Sequence, residues 1–246
     1  MTSSIQFWEQ PFVQFGLGAF ETMHAFDGKI PLIDFHLTRL NNALTSWQCS
    51  NFDLKKEWNL VKKDIPHEGQ FRIKWLLGLD ENNNILHHLY QFPYQKALTP
   101  LKLLARPCFQ LNPQPFKSTA YAEHWLELKH ATQQGFDDVI YLDAENNLIE
   151  CSKATLLSTH HDHGILASGA NLNSVSAQAL KSIQPNYWKK EPIALKNLSV
   201  SSQLWACNAL HGMMPIHSIH NESGEVLYQF EGTEPKDVWT PLLFRK

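Results

Sequence analysis

The chain has 246 residues, of which 43% are apolar and 18% charged, with a formal net charge of −3. That length holds one large domain or two small ones around a substantial core, and the balance excludes a disordered tail. The charge recommends neither a nucleic-acid nor a membrane partner, and no apolar run approaches the roughly 20 residues that span a bilayer. Residues Met1 to Gln6 lack the charged start of a signal peptide, so a cytoplasmic location is expected. The four cysteines, Cys49, Cys108, Cys151 and Cys207, form no CxxC pair and read as reduced, mostly buried small side chains.

In chain order, Gly18 to Phe26 is strand-like and Asp27-Gly28-Lys29 is a turn signal. A helix follows, with Asp34 as a plausible N-cap and Leu37, Leu40, Leu44 and Trp47 on one face. Phe71 to Leu77 alternates polar and apolar residues as a strand does, and His87 to Phe92 and Leu101 to Ala105 read likewise. Pro107, Pro113 and Pro115 disfavour regular structure. We therefore expect a small α+β domain over 1–106, a linker over 107–116 and a larger α/β domain over 117–246. Beyond the linker the pattern predicts a helix over Ala122–Gln134, stopped by Gly135, then strands Asp138–Leu142 and Leu148–Thr155. His160-His161-Asp162-His163 reads as a solvated hairpin tip without a second ligand cluster, so no metal is expected. A helix over Val175–Ile183 and strands at Gln203–Cys207, Ile216–His220 and Glu225–Tyr228 complete the pattern.

Two residues in this order suit one cofactor chemistry. Lys117 precedes a helix, a strand, a turn and a second strand that carries Glu150. A lysine can hold pyridoxal 5'-phosphate as a Schiff base, and a carboxylate can keep the pyridine nitrogen protonated, so that the ring accepts electrons. A dianionic phosphate would further want an arginine and a helix start. Arg39 lies off the apolar stripe of its helix, available to a ligand but equally describable as an exposed helical arginine. Ser174, Val175 and Ser176 open the second predicted helix and suit a phosphate, although capping alone explains serine there. Asn208 and Ala209 follow a strand and offer backbone donors or an ordinary turn. Taken singly, Lys117 is also an ordinary surface lysine; Glu150, in an apolar strand, needs a partner.

The joint order of these segments resembles the fold-type IV pyridoxal-phosphate enzymes, the class IV aminotransferase family. Gly16-Leu17-Gly18-Ala19-Phe20-Glu21-Thr22 resembles its GxGxFET block, and His36-Leu37-Thr38-Arg39-Leu40 its HLxRL block. Lys117 to Tyr121 resembles K-T-L-N-Y, and Glu150-Cys151-Ser152 resembles E-G-S, 33 residues after the lysine. Leu172 to Ser176 resembles the L-P-G-V-S phosphate loop. Cys207-Asn208-Ala209-Leu210 is similar to the second phosphate-side loop as worded in the aminodeoxychorismate lyases.

The resemblance implies a two-domain α+β fold like that of D-amino-acid aminotransferase, with the cofactor between the domains in a homodimer. It makes Lys117 the Schiff-base lysine and base, Glu150 the partner of the ring nitrogen, and Arg39 the phosphate ligand. Tyr121 falls near the cofactor, and Thr22 near the substrate as an aid to proton movement. The reaction it implies is a lyase giving 4-aminobenzoate and pyruvate from 4-amino-4-deoxychorismate, a step in folate synthesis. The alternatives are transamination of a D- or branched-chain amino acid, or a non-catalytic relative that binds a partner. The pattern departs at Ser174 and Ala177 in the phosphate loop, where a strained Ser174 would weaken cofactor binding. It departs also at His24 and Leu77, which replace arginines that bind substrate carboxylates; Arg72 and Arg106 are the possible substitutes.

Overall fold

The computed structural model describes residues 7–49, 51–95, 99–108, 115–169, 171–198, 203–231, 234–236 and 238–239. They form two compact units, one of 7–95 with 115–121 and one of 99–108 with 122–239.

The first unit opens with a short helix, α1 (Pro11–Gln14), and strand β1 (Gly18–Phe26). Helices α2 (Ile33–Ser46) and α3 (Leu54–Val61) follow, then strands β2 (Gln70–Leu79) and β3 (Ile85–Pro93). The three strands make an antiparallel sheet in the order β1-β2-β3. The period of two along each strand sorts its side chains. Ala19, Met23 and Ala25 of β1 and Ile73, Trp75 and Leu77 of β2 bury one sheet face against Leu40, Ala43 and Leu44 of α2 and Leu54 and Trp58 of α3. Asp53 caps α3, accepting from the Lys56 N–H at 2.9 Å. The predicted cap Asp34 lies instead inside the first turn of α2, whose N-cap is Leu32. The Asp27-Gly28 turn places both residues at positive φ, 46° and 73°, and the Asp27 side chain accepts from the Gly69 N–H.

The second unit holds β4 (Leu101–Pro107), α4 (Ala122–Gln133), β5 (Asp138–Leu142), β6 (Asn147–Cys151), β7 (Thr155–Thr159) and β8 (Gly164–Ala167). It continues through α5 (Val175–Ile183), β9 (Trp188–Glu191), β10 (Ile193–Ala194), β11 (Gln203–Asn208), β12 (Gly212–His220) and β13 (Val226–Gln229). Its sheet runs β10-β6-β5-β4-β12-β11-β7-β8-β9, with β13 on β12, and a β6–β7 pairing closes part of it into a ring. Strands β4 and β5 are parallel and covered on both faces, the condition that favours continuous apolar runs. Leu103, Ala105, Ile140 and Leu142 enter one core cluster, and Leu104, Val139 and Tyr141 enter another with Ala131 and Phe136.

Three expectations need correction. The strand expected over Leu148–Thr155 is two strands, β6 and β7, broken at Ser152 to Ala154. Buried Asp138 causes the break by drawing the chain inward: its Oδ1 accepts from the Ser152 hydroxyl at 2.5 Å and the Ser152 N–H at 3.3 Å. The expected boundary at 107–116 is also displaced, because β4 hydrogen-bonds to β5 and β12 and so belongs to the second unit. Lys117, assigned by sequence to the larger domain, belongs to the first unit. Pro107 ends β4 rather than opening a linker, a position where its missing N–H does no harm, and 109–114 lie outside the described residues.

Candidate active site

Lys117 is positioned by backbone pairing with β1. The Phe20 N–H donates to the Lys117 carbonyl at 2.9 Å, and the Thr119 N–H donates to the Gly18 carbonyl at 2.9 Å. The Thr119 hydroxyl donates to the Gly16 carbonyl at 3.0 Å. Residue 18 must be glycine for this approach: a Cβ there would stand 2.6 Å from Thr119 Oγ1 and 2.9 Å from the Leu77 carbonyl oxygen. Phe116, one residue before the lysine, is buried in the core beside Trp47. The Lys117 ammonium lies 4.7 Å from the centroid of Phe20 and 5.3 Å from that of Tyr121. The two rings meet edge to face at 5.7 Å, so the amine sits in an aromatic niche that favours a cation. Lys117 is thus half-buried, not the surface lysine that its place before a helix suggested.

Arg39 corrects the solvated reading more sharply. It is 6% exposed and turned into the core. Its Nε donates to Glu21 Oε1 and its Nη2 to Glu21 Oε2, both at 2.6 Å. His36 Nδ1 lies 2.6 Å from the same Oε2. Glu21 is wholly buried on the helix-facing side of β1, where burial alone would raise its pKa, but Arg39 and His36 hold the carboxyl down to about 2. Burial pushes the His36 pKa down against the pull of Glu21, with Arg39 and Lys117 adding to the fall. His36 Nε2 is enclosed and has no hydrogen-bond partner among the described residues. Sequence reading missed Glu21 and His36 as a pair. The available signal was a carboxylate at an inward position of an apolar strand, which requires a counter-charge.

In the second unit, Glu150 is nearly buried in β6 and accepts from the Leu172 N–H at 3.2 Å. That bond ties it to the segment entering α5, where Ser174 is the N-cap and its Oγ accepts from the Ala177 N–H at 3.3 Å. Ser174 has φ −70°, so it carries no left-handed strain. Val175 and Ser176, in the first turn, are buried. Asn208, at the end of β11, accepts on Oδ1 from the N–H groups of Leu210 and His211 at 3.0 and 2.9 Å, shaping the turn that holds Ala209. Its Nδ2 donates to the Lys153 carbonyl at 3.4 Å, in the turn just after Glu150.

The ten site residues expected from sequence therefore fall into two groups. Thr22, Arg39, Lys117 and Tyr121 belong to the first unit; Glu150, Ser174, Val175, Ser176, Asn208 and Ala209 belong to the second. The arginines considered for substrate carboxylates behave differently from each other. Arg106 is engaged by Glu127, Glu222 and His130 in the second unit, whereas Arg72 is exposed and stacks 4.7 Å from the Phe92 centroid. The His160–His163 segment is the turn between β7 and β8, with the His160 and His163 rings stacked at 4.5 Å. Among the described residues no three His, Cys, Asp or Glu side chains gather to hold a metal ion, and no helix is long and apolar enough to cross a membrane.

The family model for amino-transferase class IV matches residues 18–219. The chain belongs to the class IV aminotransferase family. A search of curated proteins returns no match. Among solved structures, the chain is similar to a hypothetical aminotransferase from Mycobacterium tuberculosis in its PLP-bound form. The identity is 17%, the TM-score 0.75, and the match covers 90% of this chain and 86% of that one. A candidate 4-amino-4-deoxychorismate lyase from Legionella pneumophila gives 16% identity and a TM-score of 0.76, covering 95% and 91%. The branched-chain amino acid aminotransferase of Escherichia coli gives 12% and 0.72, covering 95% and 85%. These likenesses establish the fold-type IV fold.

Class IV aminotransferases are pyridoxal-phosphate enzymes, and the donors in this chain fit that group. Lys117 offers an amine held by backbone pairing. Glu150 offers a nearly dry carboxylate suited to a protonated ring nitrogen. The start of α5 offers backbone N–H groups toward a phosphate, at a cap residue with ordinary φ. The bound group supplies an electron sink for the carbon that bears the substrate amine.

Proposed function

We propose that this class IV enzyme is a lyase that converts 4-amino-4-deoxychorismate to 4-aminobenzoate and pyruvate, in folate synthesis. The observation that carries this reading is the Asn208-Ala209-Leu210 turn. Its lyase-like wording is matched by a built geometry, with the Asn208 side chain accepting two backbone N–H groups. The likeness to the Legionella protein supports it.

In this reading Lys117 carries the cofactor, Tyr121 flanks it, and Glu150 keeps the ring nitrogen protonated. Arg39 and the α5 start with Ser174, Val175 and Ser176 hold the phosphate. The Asn208–Ala209 turn closes the phosphate side. Once the substrate amine had taken its place, the freed Lys117 Nζ would remove the proton from the carbon bearing that amine, with Thr22 assisting proton movement nearby. Loss of the enolpyruvyl group makes the ring aromatic, so atoms balance with no second substrate. The enzyme acts as a cytoplasmic homodimer.

Transamination of a D- or branched-chain amino acid is the second reading, favoured by the likeness to the Escherichia coli aminotransferase. It uses the same residues but needs a 2-oxo acid to complete its cycle. The test is to incubate the cofactor-loaded protein with 4-amino-4-deoxychorismate and no oxo acid. Formation of 4-aminobenzoate and pyruvate in equal amounts is expected; product only after an oxo acid is added would replace the lyase by the transaminase. Borohydride reduction should fix the cofactor on Lys117 and on no other lysine, and Lys117→Ala should abolish the labelled peptide.

A further inference from the structure

The sheet face turned away from the α2–α3 core carries Phe20 and Thr22 on β1. Directly across from Thr22, on β2, stands Lys74. The Lys74 ammonium lies 4.5 Å from the Phe20 centroid, so the ring that Lys117 approaches at 4.7 Å is shared by two lysine amines. Lys74 is half-buried, and burial together with the charge of Arg72 pushes its pKa down. Neither Lys74 nor Arg72 forms an ion pair with a carboxylate among the described residues; each rests on an aromatic ring. Water screens the charge of Arg72, which is exposed. It screens Lys74 less fully, and a partly desolvated cation without a carboxylate partner is costly. A carboxylate arriving on this face would relieve that cost.

We propose that Lys74 receives a carboxylate of the substrate, in place of the arginines absent at positions 24 and 77. His24 stands across from Arg72 and is 2% exposed, with its Nε2 on Gln70, which makes it a poor receiver of a charged ligand. Leu77 faces the core. Among the described residues, Lys74 combines partial burial, the lack of a carboxylate partner and a ring shared with Lys117, the proposed cofactor lysine. This assignment rests on the reading of the chain as a pyridoxal-phosphate enzyme for a carboxylate-bearing amine. It makes the ammonium at the end of a lysine stem, on the middle strand of the small sheet, the element that selects acids over plain amines.

The test compares two amines that differ only in the carboxylate, 4-aminobenzoate and aniline, binding to the cofactor-loaded protein, read by tryptophan fluorescence. Wild type should prefer 4-aminobenzoate by about 10- to 100-fold, the range of one charge-assisted hydrogen bond. Lys74→Met keeps the apolar stem over Phe20 and should bring the two Kd values to within about threefold, the loss falling on 4-aminobenzoate alone. Lys74→Arg should retain most of the preference, and Arg72→Met should alter it little. A preference that survives Lys74→Met, or a wild type that binds both amines equally, would overturn the assignment while leaving the enzyme reading intact. Cofactor spectra recorded on the same samples separate the two readings. A wild type that takes up no cofactor would remove the proposed function, and this assignment with it.

Discussion

Glu21 shows how much of a site can be hidden in the core. Its carboxylate takes two bonds from Arg39 and one contact from His36, all at 2.6 Å and all away from water. Removing the carboxylate leaves the Arg39 guanidinium charged and dry, which costs about 3–5 kcal/mol. Glu21→Gln should therefore lower the free energy of unfolding in urea by that order at pH 7. The pH dependence has a defined sign. The Glu21 carboxyl is held to about 2 against an ordinary 4.5, so its stabilisation is full above pH 4.5 and disappears as the pH falls toward 2. His36 has a lowered pKa, so the unfolded chain takes up its proton first and stability starts to fall below about 6.5. Urea midpoints between pH 7 and 3 should decline in wild type, and the decline below pH 4.5 should flatten in Glu21→Gln. A parallel decline in both proteins would mean that other groups govern acid unfolding. Periodicity in α2 located its apolar stripe but carried no word of Glu21, because the partner arrives from a strand 18 residues earlier.

At the scale of elements, Asp138 decides where β6 ends. Its Oδ1 accepts from the Val139 N–H, the Ser152 N–H and the Ser152 hydroxyl, while burial pushes its own pKa up. An amide preserves the acceptor and removes the desolvated charge. Asp138→Asn should thus hold stability at pH 7 within about 1 kcal/mol, whereas Asp138→Ala, which strands the Ser152 donors, should cost about 1–3 kcal/mol. Thermal unfolding of the two variants distinguishes these outcomes. The elements that were legible in the sequence are those whose signals are local. Strand β1 spans the expected Gly18–Phe26, α4 stops before Gly135, and α5 opens on Ser174 and spans the expected residues. The break at Ser152 was illegible because its cause sits 14 residues away in the sequence. The short strands β8, β9 and β10 were missed as well; with two to four residues each, they have too few side chains to display a period. For the candidate site, whole-block resemblance singled out Lys117 and Glu150, while Lys74, proposed above from its surroundings, carried no signal because a lysine in an alternating strand looks like any solvent-facing residue.

For the molecule as a whole, the four thiols sample both units. Cys151 and Cys207 are buried, and burial beside Asp138 and Glu150 drives the Cys151 pKa far up; Cys49 and Cys108 are half-buried. A disulfide reagent such as DTNB should modify at most Cys49 and Cys108 in the native protein, and all four in guanidinium. Early reaction at Cys151 would mean that β6 opens readily. The division into two units carries one more consequence. The lysine-bearing segment rejoins the first unit only after the chain has already supplied β4 to the second. A ribosome-bound chain that ends at residue 95 has all three strands of the small sheet but lacks the 117–119 pairing and the Phe116 side chain of its core. The small unit must therefore wait through a stretch of foreign sequence before it can finish, and its folding is interleaved with that of its neighbour during synthesis.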